Sequence, residues 1–567
     1  MTKISVKHHQ IIQLIITLII ISFVYYISTL AFFRLDLTSE KKFTLSEETK
    51  DILHDLDKKI FINVYLTGDL PVKFYRLEKS TREMLDEFQA YAGSQIQFKF
   101  IDPYDRSGKE ARERMFSDLY EKGIDPVNIN VRDDQGKTTQ KLIFPGLIVN
   151  YADKSLAVNL LKNNPGLQGE ENLNNSIESL EYEIINAIYQ ITLDEKQKIA
   201  FIEGHGELDQ YQVADITREL AKFYQVDRVT INGIANILSP YSAVIIPKPT
   251  ETYNEKDKYV IDQYLMNGGK LFWLIDPVQV SHDSLGSKGR TMAFPYSMNL
   301  EDQLFHYGVR INRTLVQDYQ CAIIPVNTAA AGQQSKFAPA PWYYFPLLNP
   351  VSNHPILNNL NMIKAEYACA IDTVGNNPQI KNEVLLTSSE FTRLMKTPDM
   401  IELREVSQPL SRQAFHDSRQ IISVLLEGKF TSVFKNRMIN RFTDRPGEFK
   451  EQSENAKMII ASDGDLIRNK VLRRPQGIKI EPLGYDRYSN QTFGNKDFIV
   501  NAINYLTDKT GLINLRTTSF KIRLLDKAKI NSNRFKYQVI NLIIPVIIII
   551  LIGLMIHFIR KRKYTMP

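Results

Sequence analysis

A chain of 567 residues with two cysteines and a formal net charge of +6 is long enough for two or three domains and too poor in cysteine for a disulfide scaffold. Lys3 and Lys7 supply two of the charges and the Arg560-Lys561-Arg562-Lys563 tail the other four, so the long middle is neutral. A phosphate-tracking surface is not implied, and nucleic acid is excluded as a partner class.

After residues 1–10 comes a charge-free run at 11–33, long enough to cross ~30 Å of hydrocarbon as a helix. A cleaved signal peptide is the alternative. The run exceeds the ~7–15 residues of a signal h-region and no small-x-small site follows, which favours an uncleaved anchor.

Residues 34–195 read as a first α/β domain. A stalk, Arg34–Thr44, leads to a helix over Glu47–Leu56 that starts at Ser46 with acids in its first turn. Alternation predicts strands at Ile60–Leu66 and Gln95–Ile101 around a helical Phe74–Tyr91, a β-α-β unit. Strands at Asn128–Val131 and Lys141–Tyr151, a loop at Asn163–Gly166 and a helix over Glu170–Ile191 complete it.

Residues 196–515 repeat the strand-helix alternation. Short apolar runs at Ile199–Ile202, Ala243–Ile246, Lys270–Ile275 and Lys457–Ala461 fit buried parallel strands. Helices are expected at Tyr211–Phe223, Lys256–Met266 and Asp497–Leu506, giving a doubly wound sheet. Between about 321 and 456 the alternation fails; strand-like Glu383–Leu386 and Ile421–Phe430 and the aromatic run Trp342–Phe345 mark a β-rich insertion.

A basic membrane-proximal segment at 516–537 leads into a second charge-free span, Gln538–Ile559. That segment reads as a solvated linker or as a contact with anionic headgroups of membrane lipid. Pro545 cannot donate to the carbonyl of Asn541, which leaves one backbone acceptor for a neighbouring helix, a side chain or water. The tail at 560–567 favours cytoplasmic termini and a large domain on the other side. The flanks facing that domain, including Arg34, Lys41, Lys527 and Lys536, are also basic and weaken the signal.

In open α/β sheets the loops at the carboxyl ends of strands meet at the ligand crevice. Here they carry Glu203, His205 and Glu207, then Asp276, then Asp463 and Asp465, a set able to hold a divalent cation or a polar ligand. The other reading is that such residues cap helices and shape turns, and no metal site is assigned. Catalytic motifs are lacking: there is no phosphate loop, third dinucleotide glycine, zincin box or nucleophile elbow. Cys321 and Cys369 read as packed thiols or one disulfide, and Cys321 as a nucleophile lacks a nearby His. The Trp342–Phe345 run reads as packing or as a binding platform.

Arg34-Leu35-Asp36-Leu37-Thr38, Phe43-Thr44-Leu45-Ser46, Ile202-Glu203-Gly204-His205-Gly206-Glu207, Gly268-Gly269-Lys270-Leu271, Leu426-Glu427-Gly428-Lys429-Phe430, Ser462-Asp463-Gly464-Asp465 and Asn501–Leu506, with the two-span layout, resemble the gliding-motility-associated ABC transporter substrate-binding family (GldG). The resemblance implies an inner-membrane protein of gliding Bacteroidota with a periplasmic domain, a permease and a cytoplasmic ATPase as partners, and a tie to the gliding or secretion machinery. It implies a thioredoxin-like first domain without C-x-x-C. The second domain would be an amidotransferase-like sheet without catalytic residues, related to one in intraflagellar-transport proteins. The expected function is a non-enzymatic accessory subunit without cofactor, whose helix at Asn541 and Pro545 docks on the permease. Two other readings are a periplasmic binding module for a polar solute or glycan and a membrane-tethered hydrolase or amidotransferase.

Overall fold

The computed structural model describes residues 6–30, 44–105, 108–132, 138–162, 169–327, 334, 336–375, 377–407, 410–444, 446–475, 477–517, 530 and 532–565. The stalk before Thr44, the Asn163–Gly166 loop, residues 31–33 of the first span and most of the basic segment at 516–537 lie outside them. Met1–Ser519 forms one compact unit and Phe520–Pro567 a second.

The first domain is built on β1 (Ile60–Val64), α1 (Val72–Ala92), β2 (Ile96–Phe100), β3 (Gly146–Tyr151) and β4 (Lys154–Asn159). The sheet order is β2-β1-β3-β4, with β1 and β2 parallel and the other pairs antiparallel. Ile60, Ile62 and Val64 alternate inward against Leu77, Leu85 and Phe88, the period-2 pattern of a half-covered strand. The single strand expected over Lys141–Tyr151 is two, Thr138–Ile143 and β3, separated at Phe144-Pro145; the first pairs with Val127–Arg132 instead. The expected Glu170–Ile191 helix likewise breaks at Ser179 into Gly169–Glu178 and α2 (Leu180–Thr192).

The second domain runs β5 (Lys198–Glu203), α3 (Ala214–Leu220), β6 (Gln225–Thr230), β7 (Ala243–Pro247), α4 (Glu255–Met266), β8 (Lys270–Leu274), β9 (Ile421–Gly428), β10 (Ala456–Ala461) and α5 (Asn495–Thr507). Five strands are parallel in the order β6-β5-β7-β8-β10, a doubly wound arrangement. Ile199 and Phe201 enter the core under α3 and α5, whereas Ala200 and Ile202 enter the one under α4. Burial on both faces explains why these strands read as unbroken apolar runs.

The β-rich stretch at 321–456 contributes its strands to this sheet. β9 pairs antiparallel with β10 from Ser423↔Ala461 to Gly428↔Ala456, and Ile380–Thr387, Phe337–Pro350 and Cys321–Asn327 continue outward, making a 13-stranded sheet. Trp342 to Phe345 are all buried: Trp342, Tyr344 and Phe345 pack with Tyr367, Cys369 and Met395 and Tyr343 against Phe415, which is the packing reading. Both cysteines are free. Burial pushes the Cys321 thiol up to about 12, so it is protonated at neutral pH and unsuited to nucleophilic work.

A joint ties the chain's last described turn in this unit to both domains. Arg516 donates to the carbonyls of Pro355 and Asn358 at 3.2 and 3.0 Å, lies 3.5 Å from Glu183 and stacks over Tyr182. Burial works against the charge of Glu183, yet Lys162 and Arg516 hold it below the usual carboxylate range. Arg516→Gln should cost about 1.5–3 kcal/mol, the value of charge-assisted bonds to buried acceptors. Hydrogen exchange at residues 512–517 should rise in this variant; unchanged protection would refute the role.

In the second unit, Arg534–Thr565 is one helix that continues through Pro545, and Arg534–Arg562 is long and apolar enough to cross a membrane. The N-terminal helix spans Val6–Leu30, with a shorter apolar part at Ile11–Tyr26 whose side chains are exposed. The C-terminal helix is a possible membrane span and the N-terminal one a weaker candidate.

Candidate functional site

The six residues expected at the carboxyl ends of the strands do not form one site. They fall into three groups, each held by side chains that sequence spacing did not reveal.

The switch point of the sheet lies between the carboxyl ends of β5 and β7, where the strand order reverses. Across it the loops that follow β5 and β7 bond to each other. The carbonyl of His205 accepts from the N–H groups of Thr250 and Glu251 at 2.9 and 2.8 Å, and the Thr250 hydroxyl donates to the carbonyl of Gly206. Gly206 has φ +72°, and a Cβ there would stand 2.1 Å from Thr250 Oγ1; only glycine allows the two loops to close.

His205 is buried beneath this closure. Its Nε2 is 3.0 Å from Oδ2 of Asp257, its Nδ1 is 3.5 Å from Oε1 of Glu207, and its ring stacks on Tyr253 with centroids 3.7 Å apart. Glu207 in turn accepts from the Tyr253 hydroxyl and the His205 N–H. Asp257 accepts from the Gly233 N–H and from Asn254 Nδ2. Burial alone would lower the His205 pKa, but the two carboxylates outweigh it and raise it. This is a buried triad with the imidazole between two carboxylates: Nε2 is within hydrogen-bond distance of Asp257, whereas Nδ1 makes only the longer ion-pair contact with Glu207.

The second group is Asp276, Asp463 and Asp465, whose carboxylate oxygens lie within 4.8 Å of one another. A lysine occupies the place a cation would take: Lys248 Nζ is 2.8 Å from Asp276 and 2.6 Å from Asp465. Lys248 holds the left-handed conformation, φ +55°, directly after the apolar β7. A Cβ on Gly464 would approach its Cβ to 2.5 Å. Asp463 accepts from the N–H groups of Asp465 and Glu366, and Asp276 from that of Gly464; Arg468 completes Asp465. Burial, then the neighbouring Asp276 and Asp465, push Asp463 well above the carboxylate range. The capping reading is correct for Asp463, which caps the short turn at Gly464–Ile467.

Glu203 stands apart from both groups, paired with Arg228 on the adjoining β6. The residues that sequence reasoning missed, Lys248, Tyr253 and Asp257, left one weak signal: a lysine directly after an all-apolar strand. Asn541 and Pro545 lie in the exposed face of the second unit's helix.

A family model described as an ABC-type uncharacterized transport system matches residues 196–502, and one for a domain of unknown function matches residues 39–150. An uncharacterized protein of Borreliella burgdorferi is 20% identical over 566 residues, covering 98% of this chain and 99% of that protein. Among solved structures, the mmIFT52 N-terminal domain aligns at 11% identity and TM-score 0.30, covering 58% of this chain and 100% of that one. A ThuA-like protein from Parabacteroides merdae aligns at 10% and 0.26, covering 59% and 94%. The family match spans more than half of the chain, and the chain belongs to the family described as an ABC-type uncharacterized transport system, as an accessory component of an ABC-type system.

Proposed function

We propose that this chain is a non-enzymatic, membrane-anchored subunit of the GldG type, working with a separate permease and a separate cytoplasmic ATPase in bacterial gliding. The observation that carries the non-enzymatic reading is the internal use of every candidate group at the carboxyl ends of the strands. A catalytic acid, base or ligand must face substrate, whereas His205, Glu207, Asp276, Asp463 and Asp465 face one another, Lys248, Tyr253 and Asp257. The strand order β2-β1-β3-β4 supports a thioredoxin-like first domain, and the parallel sheet supports an amidotransferase-like second one. The gliding assignment rests on the motif resemblance alone.

In this reading both termini are cytoplasmic, the large unit is periplasmic, and the terminal helices dock on permease helices, with Asn541 and Pro545 as the contact. ATPase-driven movement reaches the folded domains through the chain on either side of them, and the Arg516 joint gives that movement a rigid point of attachment. Affinity purification of the full chain from detergent-solubilised membranes should recover a permease and an ATPase in constant ratio. Recovery of neither would overturn the proposal, and protease access to the large unit from the cytoplasmic side alone would overturn its topology.

A further inference from the structure

At the opposite end of the sheet, by the amino ends of β7 and β8, the surface is hollowed into a cavity of about 890 Å³, within the range that holds small organic ligands. Tyr259, Tyr264 and Phe449 contribute ring surface to its wall. The Gly268-Gly269-Lys270 motif forms one side. Gly268 has φ +85°, and a Cβ on Gly269 would stand 2.5 Å from the Tyr264 ring, so the two glycines let the chain turn tightly and place Lys270 at the cavity.

Among the described residues, three lysines and two carboxylates line this cavity. Its two carboxylates are held by the protein: Glu448 accepts from Asn236 Nδ2 at 2.8 Å, and Asp508 accepts from the N–H groups of Thr510, Gly511 and Ile513. Its three lysines are not. Among the described residues no carboxylate lies within ion-pair distance of Lys270, Lys450 or Lys509. Lys270 donates to the Asn455 carbonyl at 3.1 Å and has two donors left. Its neighbour across the strand pair is Lys457, which is already paired with Glu427 at 3.2 Å. Burial, then Lys457, push the Lys270 ammonium down to about 8, against a smaller opposing pull from Glu427.

We propose that this cavity binds an organic anion, a carboxylate or a phosphate monoester on a small aromatic or aliphatic body, with Lys270 taking the charged group and the ring wall taking the body. The site is separate from the switch point and does not depend on the permease assignment. Calorimetric titration of the detergent-solubilised full chain with phenyl phosphate, benzoate and neutral benzyl alcohol tests it. At least one anion should bind with a submillimolar dissociation constant, at least tenfold tighter than the alcohol. The tighter anion identifies the headgroup as phosphate or carboxylate. Lys270→Met should weaken that binding at least tenfold. Should Lys270→Met fail to fold, the exposed pair Lys450→Ala and Lys509→Ala serves instead, with an expected weakening of at least threefold. No binding of either anion, equal binding of the alcohol, or unchanged affinity in the folded variant would each overturn the proposal.

Discussion

Lys248→Met is expected to destabilise the second domain by about 3–5 kcal/mol, the cost of removing one partner from a buried ion cluster. Lys248 bridges Asp276 and Asp465, and methionine keeps its length while leaving those carboxylates to repel one another. The protein retains partial compensation through the Gly464 N–H and Arg468, so the upper end of that range is an upper bound. Urea titration followed by tryptophan fluorescence reads the result cleanly, because the two tryptophans, Trp273 and Trp342, both lie buried in this domain. The same assay separates an ion cluster from a metal site. Divalent cations should leave the wild-type midpoint unchanged, since a ligand bound only to the native state would raise it. A midpoint rising with millimolar Mg²⁺, Ca²⁺ or Mn²⁺, or a loss below about 1 kcal/mol in Lys248→Met, would sink the assignment of Lys248 as the resident cation.

How much of this was visible beforehand follows from range along the chain. The runs that become β5, β7, β8 and β10 are buried on both faces, so composition alone marks them as interior strands. Antiparallel pairing of β9 with β10 leaves no local mark, so composition shows that the stretch at 321–456 is rich in strands but not that those strands extend the sheet. The loops carrying His205, Asp276 and Asp463 were placed correctly at the carboxyl ends of strands, because a strand-to-loop change in composition is local. Their partners were not legible: Asp257 is 52 residues from His205 and Asp465 is 217 from Lys248. Residue type alone cannot tell an acid that awaits a ligand from one already matched by a distant lysine.

His205→Phe carries the second large expected effect, about 3 kcal/mol at pH 6, and it isolates charge from packing. Phenylalanine preserves the ring stacked on Tyr253 and removes the cation between Glu207 and Asp257. The carboxylates keep the Tyr253 hydroxyl, the backbone N–H groups and Asn254 as donors, which places the loss at the low end of the range for a broken buried ion pair. His205→Ala should cost about 1–2 kcal/mol more, since the lost ring leaves a cavity. The pH dependence has a definite sign. The His205 pKa is raised in the folded state, so its contribution is complete below the unfolded value of about 6.5 and is lost as pH rises through the folded value. Glu207 is the reverse: burial opposes its charge, but His205 and Tyr253 outweigh it and lower its pKa. Its contribution is complete above about 4.3 and is lost as pH falls through the folded value. The gap between wild type and His205→Phe should therefore be widest between about pH 4.3 and 6.5 and close on the alkaline side. A gap that widens as pH rises through about 6.5 would mean that His205 is neutral in the native state at pH 6 and that Asp257 and Glu207 merely orient it. The triad would then be poised as an acid–base pair, and the non-enzymatic reading of this crevice would have to be given up.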